Sequence, residues 1–141
     1  MAPQTDTIEI DRPPEAVFAV AADPTRFAEW QPDVIRVDML DAERFATVRR
    51  FVGAQHTTLQ QITANEPPRF FAARGVDGLI RPHATLTVEP LDGGKRSRVT
   101  FTLDFEGVGV GAAMLPLVRR TAGKRAPVSY RHLKALLEQA P

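Results

Sequence analysis

The stretch IEIDRPPEAVFAVAADPTRFAEWQPDV, residues 8–34, decides how the chain is built. Ile8 and Ile10 alternate with polar residues, which predicts a half-buried strand. Pro13 and Pro14 end that strand because proline cannot donate a ladder hydrogen bond, and the pair suits the first turn of a helix. An apolar helix is therefore expected directly after the strand.

A second start signal follows within the same stretch. Asp23 can accept hydrogen bonds from the free amides of a new helix, and Pro24 suits its first position. This helix is short because Pro32 closes it, and it places Phe27 and Trp30 on one face. The stretch thus predicts a strand and two short helices joined by sharp corners.

The middle of the chain alternates apolar and polar residues, which is typical of antiparallel strands with one solvated face. The predicted strands cover residues 34–40, 44–52, 56–64, 69–74, 83–90 and 98–107. Tight hairpins are expected at Gly53-Ala54 and at LDGGKR, residues 91–96. These segments predict a sheet built from sequential hairpins.

Residues 111–139 change to a helical period. The apolar residues of this segment that fall near one face are Leu115, Val118, Ala122, Tyr130, Leu133, Leu136 and Leu137. Pro127 interrupts the pattern, so we expect a kink or a break there, with two shorter helices as one outcome.

Composition narrows the class of protein. The 141 residues are 43% hydrophobic and 25% charged, which is ordinary for a globular domain, and we predict one domain over residues 1–141. A formal net charge of +1 argues against a nucleic-acid-binding protein. The absence of cysteine and of a signal-peptide pattern favours a cytoplasmic protein, and the longest uncharged run, residues 107–118, is too short for stable membrane insertion.

The order of a strand, two short helices, about six antiparallel strands and a long terminal helix resembles the helix-grip fold of the START-like (SRPBCC) superfamily. The segments that carry the resemblance are RPPEAVFAVAADPTRFAEWQPDV, ITANEPPRFFAARG, VEPLDGGKRSRVTFTLDFEG and HLKALLE. The resemblance implies an α+β fold, in which a curved antiparallel sheet of about seven strands surrounds a long C-terminal helix. It also implies an apolar cavity between the sheet and that helix, plugged at one end by the two short helices.

The function implied by this resemblance is binding of a hydrophobic or aromatic small molecule in the cavity. The residues predicted to line it are Trp30, Arg49, His56, Arg74, Phe101, Leu103, Leu115 and Tyr130. One alternative is an enzyme like the polyketide cyclases and aromatases, although no nucleophile or acid–base signature is present. A second alternative is a protein-interaction module with a filled pocket. No cofactor is implied, and the oligomeric state is left open.

Two arginines stand out because each shares a strand face with apolar residues. Arg49 follows Thr47 in strand parity, and Arg74 follows Ala72. An inward arginine must reach a ligand anion, water or a carboxylate such as Asp104, because burying its charge alone is very costly. Both orientations stay open, since a strand that is apolar on both faces does not reveal which face is inner.

Other polar residues are weaker candidates. His56 faces inward if Ile62 does, and Tyr130 lies on the helix face that is expected to meet the sheet. His56, His83 and His132 have no metal-ligand spacing, so no metal site is predicted.

Two short motifs are interpreted as parts of the fold rather than as binding sites. Gly107, Gly109 and Ala112 match a dinucleotide-binding fingerprint, but that fingerprint needs a parallel strand–helix–strand unit, so we interpret the glycines as a turn into the last helix. The basic run RRTAGKR, residues 119–125, is interpreted as a solvated helix face.

Overall fold

The order of helices and strands in the computed structural model, which describes residues 3–51 and 53–139, follows the predicted order. The elements are β1 Gln4–Ile10, α1 Pro14–Ala21, β2 Val34–Met39, β3 Arg44–Phe51, β4 Ala54–Glu66, β5 Phe70–Gly75, β6 Ile80–Leu91, β7 Arg96–Gly107 and α2 Gly111–Gln139. Two 3₁₀ helices cover Pro24–Glu29 and Asp92–Gly94. The strand end predicted at Val52 lies outside the described residues.

The seven strands form one antiparallel sheet in the order β1-β7-β6-β5-β4-β3-β2. Every pair except β1–β7 joins strands that are consecutive in the chain, so the sheet is a run of hairpins whose first strand returns to pair with the last. With α2 packed mainly on β7 and β1, this architecture confirms the predicted α+β helix-grip fold.

The N-terminal corner is formed as the sequence predicts. α1 begins after Pro13, and the 3₁₀ helix that follows is capped by Asp23, whose Oδ1 accepts a hydrogen bond from the Thr25 amide at 3.0 Å. This helix brings Phe27 and Trp30 into edge-to-face contact, with ring centroids 5.9 Å apart. The two short elements thereby place an aromatic pair against the sheet.

α2 is one helix from Gly111 to Gln139, so the division into two helices considered for Pro127 is wrong. Proline removes a backbone hydrogen bond, but α2 is held on both sides of Pro127 by packing. Ala122 is buried before it, and Tyr130 and Leu133 are buried after it.

The core lies between the concave face of the sheet, α1 and the C-terminal half of α2. Its most buried members come from elements far apart in sequence, such as Ile10 in β1, Phe45 in β3, Val99 in β7 and Leu133 in α2, each with 0% exposure. The concave face is therefore covered by helices at one end.

Candidate functional site

The concave face of the sheet is less covered at its other end, where it forms an open trough. In β6 and β7, Leu86 and Phe101 are buried, whereas Ala84, Leu103 and Phe105 on the same face are only half-buried. The exposure of these three side chains is confined to one end of the sheet, because Gln60 in β4, Phe71 and Ala73 in β5 and Val88 in β6 are buried on the same inner face. We call this face the concave trough.

A chain of aromatic rings closes the covered end of the trough. The Trp30 ring lies 6.2 Å from the Phe101 ring, and Phe101 stacks on Tyr130 with centroids 3.8 Å apart and an interplanar angle of 11°. Trp30 is 4% exposed, and its Nε1–H has no hydrogen-bond partner among the described residues. Such buried donors are rare because each one loses its hydration without compensation.

The sequence leaves both orientations of Arg49 open, and in the structure its side chain points inward. It lies on the strand face that carries Phe45, which is fully buried. Its guanidinium donates to Asp33 Oδ2 at 3.0 Å and to Gln31 Oε1 at 3.1 Å, so Asp33 rather than Asp104 is its carboxylate partner. The side chain is 36% exposed, which leaves part of the guanidinium available to a ligand.

The buried phenol of Tyr130 lies within electrostatic range of two opposite charges, Asp6 and Arg49. Burial raises the pKa of the Tyr130 hydroxyl well above its ordinary value, and the carboxylate of Asp6 raises it further, while the guanidinium of Arg49 offsets part of this effect. Asp6 belongs to β1, where it pairs with Phe101 and accepts a hydrogen bond from Gln4 Nε2 at 3.0 Å. The Tyr130 hydroxyl therefore stays protonated at neutral pH and is able to donate a hydrogen bond.

Two further polar residues on the concave face were not among the predicted site residues. Thr47 is 1% exposed and Gln60 is 8% exposed, and Thr47 Oγ1 donates to Gln60 Oε1 at 2.6 Å. The available signal was that Thr47 lies between two inward positions of β3, Phe45 and Arg49. A threonine there looks like an ordinary strand residue until its cross-strand partner is known.

The two remaining polar residues of the prediction lie outside the covered part of the trough. His56 is the register partner of Arg49, but it is exposed near the end of the β3–β4 hairpin, where its Nε2 lies 3.1 Å from the carbonyl oxygen of Phe51. Arg74 lies on the convex face, because Phe71 and Ala73 occupy the inward positions of β5. Arg74 therefore has the outward orientation, and its position gives no support to a role in the trough.

The apolar residues of the prediction divide in a similar way. Phe101 belongs to the aromatic chain, and Leu103 lies on the same strand face toward the open end of the trough. Leu115 is half-buried on the first turns of α2. Ligand contact by any of these residues stays a prediction.

The apolar cavity expected between the sheet and the terminal helix also stays a prediction, and the stacked rings of Phe101 and Tyr130 occupy part of that space. One concavity, of about 460 Å³, lies on the opposite, convex face, among residues that include Arg74, His83, Thr85, Thr102 and Asp104. The candidate site is accordingly a mainly apolar trough, with the donor-bearing residues Trp30, Arg49 and Tyr130 near its covered end.

Comparison with known proteins agrees with the fold described above. Residues 1–138 match the family described as polyketide cyclase/dehydrase and lipid transport. A START superfamily protein from Mycobacterium smegmatis superimposes with a TM-score of 0.82 at 14% identity, covering 99% of each chain. The Zhui aromatase/cyclase from Streptomyces sp. R1128 gives a TM-score of 0.84 at 15% identity, over 97% of this chain and 93% of that chain.

A protein from Thermus thermophilus superimposes with a TM-score of 0.78 at 20% identity, covering 96% of each chain. No curated protein matches the sequence. At these identities the structural likeness establishes the fold alone.

Proposed function

Because the chain belongs to the polyketide cyclase/dehydrase and lipid transport family, we propose that it binds a hydrophobic or aromatic small molecule in the concave trough. The observation that carries the proposal is the buried Nε1–H of Trp30, which has no acceptor among the described residues. Leaving a buried donor unpaired costs about 1–3 kcal/mol. A ligand oxygen placed beside Trp30 would remove that cost.

The chemistry of the neighbouring groups narrows the ligand class. Arg49 and Tyr130 are both donors at neutral pH, and the half-buried side chains of Leu103 and Phe105 line the outer part of the trough. A suitable ligand has an apolar body and at least one carbonyl or phenolate oxygen. The expected ligands are therefore aromatic or aliphatic ketones, phenols and carboxylates rather than hydrocarbons or cations.

The single tryptophan of the chain makes this proposal directly measurable. Titration with fluorenone, an aromatic ketone, should change the emission of Trp30, and fluorene, which has the same ring system without the oxygen, should bind more weakly. Arg49→Gln and Tyr130→Phe should each weaken fluorenone binding about ten-fold, since hydrogen bonds to charged or buried groups contribute roughly 1–3 kcal/mol. Both variants should leave fluorene binding nearly unchanged.

The matched control is Arg74→Gln, which removes the same charge from the convex face. Equal losses for both probes, or an equal loss in Arg74→Gln, would contradict binding in the trough. Native mass spectrometry of the purified protein, compared with its denatured mass, should also show a retained ligand. If no probe changes the emission and no ligand is retained, the results would favour the alternative that the chain is a protein-interaction module.

A polyketide cyclase or aromatase activity is the second candidate, and it is favoured by a buried Tyr130 hydroxyl within electrostatic range of the Arg49 guanidinium. In ring closure an α-carbon loses a proton to water, the resulting enolate carbon bonds to a carbonyl carbon, and the C=O π electrons of that carbonyl move to its oxygen. The oxygen takes up a proton and then leaves as water together with another α-hydrogen, which gives the aromatic ring. Arg49 and Tyr130 would stabilise the developing enolate oxygen by hydrogen bonding. Incubation with a linear poly-β-ketone should then yield a dehydrated product faster than in buffer. Equal rates in Arg49→Gln and wild type would contradict catalysis at this site and leave ligand binding as the only proposed function.

A further inference from the structure

Large exposed apolar side chains gather at one end of the molecule, where the β5–β6 turn meets the start of α2. Their exposed fractions are 48% for Leu79, 37% for Val108, 71% for Val110, 45% for Met114 and 53% for Leu117. The two segments touch, because the Val108 amide donates to the Leu79 carbonyl at 2.8 Å and Gly111 packs directly on the same carbonyl. We call these five side chains the apolar tip.

The exposed face of α2 changes from apolar to cationic beyond the tip. Arg120 lies three residues after Leu117, and Lys124 lies seven residues after it, so all three side chains lie along one helix face. Arg120 and Lys124 are exposed, and neither forms an ion pair with any of the residues that the structure describes. Two uncommitted cations therefore stand directly behind the apolar tip.

The charge of the whole chain is divided unevenly. α2 contains Arg119, Arg120, Lys124, Arg125, Arg131 and Lys134 but only one acidic residue, Glu138. The helix thus has a formal charge of +5, whereas the chain as a whole has +1, so the other residues together have −4. A cationic helix on an otherwise acidic protein directs the molecule toward an anionic partner.

We propose that the apolar tip and the two cations behind it dock on an anionic lipid surface. Among the described residues no helix is long and apolar enough to cross a bilayer, so docking is confined to the interface. Lys124 lies about 10 Å beyond Leu117 along the helix axis at the usual rise per residue. An apolar end that enters the lipid by roughly 5–10 Å would leave this lysine at the level of the phosphates.

The form of the tip favours lipid over an acidic protein. Its side chains are aliphatic and project from a turn and a helix start, whereas protein interfaces are enriched in aromatic residues and arginine. Away from the tip, the described part of the chain exposes only Ile35, Met39 and Leu40 as large apolar residues, all on or just after the edge strand β2. The inference does not depend on what the concave trough binds.

The test is co-sedimentation with vesicles of phosphatidylcholine containing phosphatidylserine, compared with phosphatidylcholine alone at moderate salt. Wild type should sediment with the anionic vesicles only. Met114→Gln combined with Leu117→Gln should lower the partition coefficient more than ten-fold, since two partly exposed apolar side chains leave the lipid. Arg120→Gln combined with Lys124→Gln should lower it about five-fold per cation removed.

The controls change the same chemistry elsewhere. Met39→Gln with Leu40→Gln removes two exposed apolar residues on the β2 edge of the sheet, and Lys95→Gln with Arg74→Gln removes two exposed cations, one at the β6–β7 hairpin and one on the convex face. Both should bind like wild type. If the double variant at Met114 and Leu117 does not fold, Val110→Gln repeats the test at a position before the helix.

Three results would overturn the proposal. In the first, wild type stays in the supernatant with anionic vesicles. In the second, the control pairs lose as much binding as the tip pairs, which would show a non-specific effect. In the third, the protein does not bind vesicles but forms a concentration-dependent dimer in sedimentation velocity, and the Met114 and Leu117 changes abolish that dimer. This result would assign the tip to contact with a second copy.

Discussion

At the scale of single residues, the Thr47–Gln60 hydrogen bond offers the sharpest test of the concave face. Thr47→Val keeps the shape of the side chain but removes the donor, so the Gln60 amide oxygen loses its partner in a buried position. We expect unfolding free energy to fall by about 1–3 kcal/mol in urea denaturation. Thr57→Val, on the exposed face of β4, should stay within about 0.5 kcal/mol of wild type.

The same pair can be tested for coupling. Thr47→Val with Gln60→Leu removes both polar partners and should cost less than the two single changes added together, because no unpaired group is left. Strict additivity of the two single changes would show that the hydrogen bond contributes nothing specific.

Glu138 gives a prediction about pH. Its Oε2 accepts from Lys134 Nζ at 2.8 Å and from the Asp11 amide at 2.9 Å, and these bonds, that of Lys134 first, lower the pKa of the carboxyl below its ordinary value of 4.5. A carboxyl whose pKa is lowered by folding stabilises the protein fully above its unfolded pKa. That stability is lost as the pH falls through the lower, folded pKa.

Glu138→Gln should therefore lower unfolding free energy by about 0.5–1 kcal/mol at pH 7, the modest value expected for a largely exposed ion pair. The difference from wild type should stay constant down to about pH 5 and shrink in more acidic urea titrations. The charge-matched control is Glu106→Gln, which removes an exposed carboxylate near the C-terminal end of β7. A difference that grows on acidification would contradict the assigned role.

At the scale of elements, two glycines of α2 allow the effect of close packing to be measured apart from the effect of helix propensity. A Cβ on Gly111 would overlap the Leu79 carbonyl, whereas a Cβ on Gly123 would meet nothing closer than Gln4 Oε1 at 3.8 Å. Gly111→Ala should cost about 1–3 kcal/mol, because the start of the helix must move away from the β5–β6 turn. Gly123→Ala should stabilise the protein by about 0.5–1 kcal/mol, because alanine favours the helix.

Thermal and urea denaturation of the two glycine variants check these opposite signs. Two variants shifting in the same direction would contradict this distinction between packing and propensity. The glycines that resemble a nucleotide fingerprint serve the turn into α2: a Cβ on Gly107, the last residue of β7, would lie 2.6 Å from the Ala112 backbone, and Gly109, just before α2, has a positive φ of 59°.

The elements themselves were largely predictable because each has a local signal. The proline pair, the Asp23 cap and the LDGGKR turn mark the ends of elements, and the bounds predicted for the last helix coincide with those of α2. The turn predicted at Gly53-Ala54 is misplaced, because Ala54 already pairs with Phe51 as the first residue of β4. Its continuity through Pro127 was not predictable, since it depends on burial of Tyr130 and Leu133 against distant strands. Local rules weigh the lost hydrogen bond but not the tertiary contacts that offset it.

At the scale of the whole molecule, the candidate site was predictable only in part. Trp30, Phe101 and Tyr130 do meet, because large aromatic residues on inward faces converge in a curved sheet. The orientations of Arg49 and Arg74 were not predictable, since their strands carry apolar residues on both faces, as the adjacent Phe70 and Phe71 show. Only the register with neighbouring strands decides which face turns inward.

Cooperativity is the last property to follow from the assembled molecule, and it tests the prediction of one domain over residues 1–141. The core joins Ile10, Trp30, Phe45, Phe101 and Leu133 in one cluster, so no element can leave without exposing parts of the others. We expect a single two-state transition, with Trp30 emission and far-ultraviolet circular dichroism giving the same urea midpoint.

Leu133→Ala should move both midpoints together and cost about 2–5 kcal/mol, because this leucine is fully buried where α2 meets the sheet. Leu117→Ala, at an exposed position of the same helix, should leave both midpoints nearly unchanged. A helical signal that disappears before the Trp30 emission changes would show that α2 unfolds separately, and the single-domain prediction would then fail.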